Sequence, residues 1–164
     1  MQKITTFLWF DDKAEEAANF YVSIFRNSKI GKISRYSDAG QDVHGRPAGS
    51  VMVVTFELDG REFSALNGGP HFKFTEAISL RVNCETQTEV DELWETLSAG
   101  GEKSQCGWLK DKYGLSWQIV PTVLDEMMID TDTKRAARVM KAMLTMQKLD
   151  IAALKQAYGD GAGS

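Results

Sequence analysis

One pattern occurs twice in this chain and limits its possible folds more than any other feature. Near the N-terminus, KITTFLWFDDKAEEAANFYVSIF reads as an apolar strand, an acidic turn and a helix. Ala14, Ala17, Ala18, Tyr21 and Phe25 recur at helical spacing, and Asp12 with Glu15 has the form of a capping box. EAISLRVNCETQTEVDELWETLSAGG repeats that order. Ile78, Leu80 and Val82 alternate with polar residues, Thr86 and Glu89 form a second capping box, and Val90, Leu93, Trp94 and Leu97 give the apolar face of a helix that Gly100 ends. Three short strands follow each helix. In the first copy they are SKIGKISRYS, SVMVVTFEL and EFSALN, with Asp59-Gly60 as a hairpin turn; in the second they are GEKSQ, CGWLKD and LSWQIV, with Gly114 supplying a positive φ in the last turn. The expected fold class is therefore α+β, with two tandem βαβββ modules, at about residues 1–70 and 75–123.

From Pro121 onward the strand signals stop. Asp132 to Met146 reads as a helix with Ala136, Val139, Met140, Met143 and Leu144 on one face. Asp150 caps a last helix bearing Ile151, Leu154 and Tyr158. Residues 124–164 are thus expected to form a helical extension that covers a sheet or a partner subunit, ending in the frayed tail GDGAGS, with the methionines filling irregular gaps in the core. The polar, glycine-rich stretch from Asp38 to Gly49 is expected to be a mobile surface loop near a cleft.

A net charge of −4 with scattered basic residues gives no positive field for nucleic acid or an anionic membrane surface. The apolar run in MQKITTFLWFDDK is too short for a signal peptide or a spanning helix, so a soluble, cytoplasmic protein is expected. Cys84 and Cys106, the two cysteines, lack CxxC spacing and suggest neither a zinc knuckle nor a disulfide framework.

The motifs WFDDKAEEAANFY, LNGGP and CGWLKDKYGLSWQIVP resemble the PhnB-like branch of the vicinal oxygen chelate superfamily, which includes glyoxalases, bleomycin-resistance proteins and extradiol dioxygenases. That branch is often labelled 3-demethylubiquinone-9 3-methyltransferase. The resemblance covers residues 1 to about 123. It implies that each module curls into half of a cup with helices outside, that the cup takes a small-molecule ligand, and that the chain forms a homodimer. On the cup side it would place Thr5, Phe7 and Trp9 of the first strand, Phe63, Ala65 and Asn67 of the fourth, Ala77, Ser79 and Arg81 of the fifth, and Ser116, Gln118 and Val120 of the last. Leu8, Phe10, Trp117 and Ile119 would face the helices. Trp108, with Phe7, Trp9 and Phe63, would suit a flat or apolar ligand, oriented by Asn67, Ser79, Arg81 and Gln118.

Metal-dependent relatives place His, Gln or Glu at positions that here hold Thr5, Phe63, Ala77 and Gln118. One neutral amide cannot hold a divalent cation against water, so no metal and no cofactor are expected. S-adenosylmethionine sites of the usual methyltransferase fold need a glycine-rich turn between a strand and a helix, and the chain has none. His44 and His71 read as surface histidines, Cys106 as a small packed residue of a strand, and Glu62, Glu76 and Asp111 as solvated carboxylates. The function expected is a metal-independent small-molecule-binding protein of this fold. A metal-dependent lyase, isomerase or dioxygenase-like enzyme is the alternative, and methyl transfer the third reading.

Overall fold

Residues 2–159 are described by the computed structural model, and they cluster into two units that divide between Phe74 and Thr75. In the first unit, β1 (Thr6–Phe10), α1 (Ala14–Ile24), β2 (Lys29–Arg35), a one-turn α2 (Gln41–His44), β3 (Val51–Leu58) and β4 (Arg61–Asn67) follow in order. The sheet order is β1-β4-β3-β2, with β1 parallel to β4 and the other pairs antiparallel. Asp59 and Gly60, at φ 50° and 76°, make the β3–β4 hairpin, both in the left-handed region that such a turn requires. Ala14, Ala17, Ala18 and Tyr21 of α1 are fully buried, as are Val54 and Phe56 of β3. Small side chains bring the helix close to the sheet, and Tyr21, Phe56 and Phe63 then form a run of rings, at centroid spacings of 6.3 and 5.5 Å.

One local expectation fails here. The Asp12/Glu15 box does not form: Lys13 is the N-cap and offers no side-chain bond. A tertiary contact supplies the cap instead, since Asn67 Oδ1 accepts from Ala14 N at 2.8 Å. The stretch from Asp38 to Gly49 is also more organised than its composition suggests. It contains α2, it is closed by Tyr36 and Ser50 across a 2.8 Å backbone bond, and Arg46 ties it to the carbonyl of Asp11 at 2.6 Å.

The second unit repeats the topology. β5 (Ser79–Cys84), α3 (Gln87–Ser98), β6 (Glu102–Lys103), β7 (Trp108–Lys110) and β8 (Ser116–Pro121) build a sheet of order β5-β8-β7-β6, with β5 parallel to β8. Thr86 caps α3 by accepting from Glu89 N at 3.2 Å, while the Glu89 carboxylate accepts from Glu85 N at 3.0 Å. Trp117 and Ile119 are buried on the α3 side as expected. Ile78 is not: β5 begins one residue later, and Ile78 is 72% exposed.

Three helices close the chain where the sequence suggested two: α4 (Thr122–Met128), α5 (Thr133–Met143) and α6 (Ile151–Gly159). α4 went unread because it starts directly on Pro121, a residue that reads as a stop yet is tolerated at a helix start. Leu124, Met127, Val139, Leu149 and Leu154 pack with Val120 of β8, and Met128, Met143 and Met146 border the cluster as gap-fillers. Gln87 of α3 clasps the extension, donating to Leu149 O at 3.1 Å and accepting from Ile151 N at 2.7 Å. Asp132 and Asp150 cap α5 and α6. Leu144, expected on the buried face of α5, is 60% exposed because the helix ends at Met143. Apart from Gly159, the tail GDGAGS lies outside the described residues. No helix among the described residues is long and apolar enough to cross a membrane.

Candidate functional site

Directly paired residues of neighbouring strands point to the same face, so the register decides which candidates share a surface. In the first sheet, Phe7 pairs with Ser64 and Trp9 with Leu66, whereas Thr6, Leu8 and Phe10 pair with Phe63, Ala65 and Asn67. Leu8 and Phe10 are buried on the α1 side. Phe63, Ala65 and Asn67 therefore face the helix, which corrects the expected orientation of all three. The physical reason is specific: Phe63 completes the ring run of the core, and Asn67 is needed as a cap for α1. Replacing Asn67 with alanine should cost about 1.5 kcal/mol, the value of a buried cap plus its 3.1 Å bond to Val51 O, measurable by urea unfolding.

Phe7 and Trp9 do lie on the face away from α1. Phe7 is 58% exposed, while the Trp9 indole donates to Gly69 O at 2.9 Å and meets Phe72 edge-on at 4.9 Å. LNGGP is thus the seat of an indole: a Cβ on Gly68 would stand 2.3 Å from the Trp9 ring.

The second sheet gathers more of the candidates. Ser79 pairs with Ser116, Arg81 with Gln118, Trp108 with Gln118 and Lys110 with Ser116, so these six side chains share the face opposite α3. Gln118 donates to Ser79 Oγ at 2.8 Å. Arg81 is already engaged, by Asp125 of α4 at 2.5 Å and by Asn83 at 3.0 Å. Val120, expected to line the same face, is instead covered by the C-terminal helices.

Beside Trp108 lies a shallow depression of about 200 Å³, lined among others by Glu76, Glu102, Lys103, Lys110 and Ser116. Its charges neutralise each other. Lys110 bonds to Glu76 and stands 4.0 Å from Glu102, which raises the lysine and lowers Glu76 from their ordinary pKa values. Lys103 turns to both carboxylate oxygens of Glu95, at 2.8 and 3.1 Å. Ser116 is fully buried, and its Oγ is the buried side-chain polar atom left without a partner among the described residues. Alternation alone marks Lys110 as a face-mate of Trp108 on β7 and Ser116 as one of Gln118 on β8, so Lys110 joins the expected lining residues.

The remaining candidates resolve structurally. Asp111 is not solvated but 2% exposed, accepting from Tyr113 N, Leu115 N and Trp117 Nε1 at 2.8, 3.1 and 2.9 Å. Cys106 sits in a turn at φ 58°, not in a strand, and its Sγ lies 3.6 Å from Met143 O. Cys84 is fully buried beside Glu89, and burial first, then that carboxylate, pushes its thiol from 9.0 up to about 12. Folding thus favours the protonated thiol. The unfolded chain releases this proton over the window from 9.0 to about 12 while the folded chain keeps it, so stability falls as pH rises through that window. At neutral pH a thiol reagent should label Cys106 and leave Cys84 unmodified in the native protein, as mass spectrometry of the labelled peptides would show.

A metal fits poorly. His44 is consumed within its loop, Nδ1 accepting from Arg46 N at 2.9 Å and Nε2 standing 3.1 Å from Ala39 O, while His71 is exposed in the turn after β4. Of the four positions that hold ligands in metal-dependent relatives, Phe63 is in the core, Ala77 is in a turn, and Gln118 is bonded to Ser79. Among the described residues no three His, Cys, Asp or Glu side chains converge on one point. These donors do not suit a divalent cation.

Comparison with known proteins gives the family and supports the fold. The sequence model of the 3-demethylubiquinone-9 3-methyltransferase family matches residues 2–120. The PhnB protein from Bacillus cereus is 43% identical and superposes with a TM-score of 0.66, covering 74% of this chain and 100% of that one. The fosfomycin resistance protein FosX from Listeria monocytogenes is similar in fold, at 16% identity and a TM-score of 0.54, covering 79% of this chain and 98% of its own. A comparison with curated proteins found no match.

Proposed function

From the premise that the chain belongs to the 3-demethylubiquinone-9 3-methyltransferase family, in its PhnB-like branch, we propose that it is a metal-independent small-molecule-binding protein. The observation that carries this reading is the face of the second sheet opposite α3, where the half-buried Trp108 and Gln118 present an indole and an amide and Ser116 keeps a covered hydroxyl. Neutral, hydrogen-bonding and aromatic groups on a concave or sheltered face are what orients small organic molecules. The same groups are poor at activating water or holding a cation.

The family's label speaks of methyl transfer, yet the turns that lead from the first strand of each unit into its long helix, α1 or α3, are Asp11-Asp12-Lys13 and Glu85-Thr86. Neither is glycine-rich, and neither sheet alternates parallel strands with helices as the usual S-adenosylmethionine site requires. The reading includes a homodimer, as the resemblance to the superfamily implies, which light scattering would test, and a cytoplasmic location, as the short N-terminal apolar run suggests.

The test is metal analysis and native mass spectrometry of protein purified without chelator. Binding protein predicts a co-purified organic molecule and no stoichiometric divalent ion. A bound ion would favour a metal-dependent enzyme of the fold, and a saturable calorimetric titration with S-adenosylmethionine would favour methyl transfer.

A further inference from the structure

The geometry points to a subsite for an uncharged, single-ring molecule bearing a carbonyl or amide, seated between Trp108 and Ser116. The inference deepens the binding role proposed above and rests on it. Three observations lead there. First, size: a dry cavity of about 150 Å³ accepts benzene, so a depression of about 200 Å³ has room for one ring and a substituent. Second, charge: Lys110 is held by Glu76 with Glu102 at 4.0 Å, and Lys103 is held by Glu95. A carboxylate ligand would have to break one of these pairs, and an ammonium ligand would have to compete with a lysine already in place.

Third, what remains unspent is neutral. The Ser116 hydroxyl is buried without a partner, a condition that costs about 1–3 kcal/mol unless something accepts its proton. A ligand carbonyl does so while its ring lies against the Trp108 indole, two residues from Lys110 on β7. Ser116 lines the depression with its Oγ covered in the free structure, and a rotamer change of Ser116 itself turns the hydroxyl to the ligand, so that Lys110, directly opposite on β7, keeps its bond to Glu76.

The experiment uses three probes of one size and shape: benzamide, benzoate and benzylamine. Each is titrated into the full-length protein labelled with ¹⁵N, and the four indole N–H resonances, assigned by single Trp→Phe variants, are followed. Benzamide should shift the Trp108 resonance saturably, and the two charged probes should bind about tenfold more weakly or less, since each must displace an existing ion pair. Ser116→Ala should weaken benzamide about five- to tenfold, the loss of one hydrogen bond, with the thermal midpoint unchanged or raised because the variant removes an unsatisfied buried hydroxyl. Benzoate binding as well as benzamide, benzamide binding unaffected by Ser116→Ala, or no response of Trp108 to any probe would each overturn the subsite. A stoichiometric metal in the purified protein would instead sink the metal-independent role while leaving the probe results to stand on their own.

Discussion

Asp111→Ala lowers the stability of the protein by about 3–4 kcal/mol, because it removes the acceptor of three hydrogen bonds at once. Two of the donors are main-chain N–H groups of the β7–β8 turn and the third is the indole of Trp117, itself 2% exposed. Because Asp111 and Trp117 are both 2% exposed, that indole N–H is left unpaired in the core beneath α3. In a chain of this length the loss corresponds to a fall of roughly 10 °C in the thermal midpoint. Asp111→Asn keeps one acceptor oxygen and turns an N–H₂ toward existing donors, so it should fall between wild type and Asp111→Ala. Urea unfolding of the three proteins gives the order directly. A loss below about 1 kcal/mol for the alanine variant would mean that the carboxylate is solvated after all.

The second large effect is at Gly68. A Cβ there would lie 2.3, 2.4 and 2.6 Å from three atoms of the Trp9 ring, far inside van der Waals contact. Gly68→Ala therefore either expels the indole or displaces the backbone after β4, and both routes break the 2.9 Å bond from Trp9 to Gly69 O. The expected cost is about 2–3 kcal/mol, at the upper end for overpacking because the clash is with a rigid ring. The cause can be isolated with a cycle: in a Trp9→Ala background the Gly68→Ala change should cost little, giving a coupling of about 2 kcal/mol. Additive effects would show that the glycine serves the backbone and not the ring.

Much of the architecture was legible because it depends on local signals that tertiary packing did not need to override. Thr86 with Glu89, Asp59-Gly60 and Gly114 act within a few residues, and each took its expected conformation. Alternation in the second module was legible too, since Trp117 and Ile119 are strongly apolar and fix the phase of every neighbour. In β4 the phase was misread. Phe63 and Asn67 differ in polarity yet share a face, because one fills the core and the other caps a helix fifty-three residues away in sequence. A polar residue recruited by a distant backbone N–H carries no local mark. The same is true of Asp111, whose buried partners are a turn and an indole that only the folded hairpin brings together, and of the Ser116 hydroxyl, whose lack of a partner is visible only in three dimensions.

Cys106 N and Gly107 N donate at 2.8 Å to the carbonyls of Met146 and Gln147, and Leu149 and Leu154 pack with Val120. The order of synthesis on the ribosome therefore treats the two units differently. The first has its own sheet, helix and ring run once residue 74 has emerged. The second waits with an open turn and a bare Val120 until Leu154 has emerged, so its core closes only after α6 has been made.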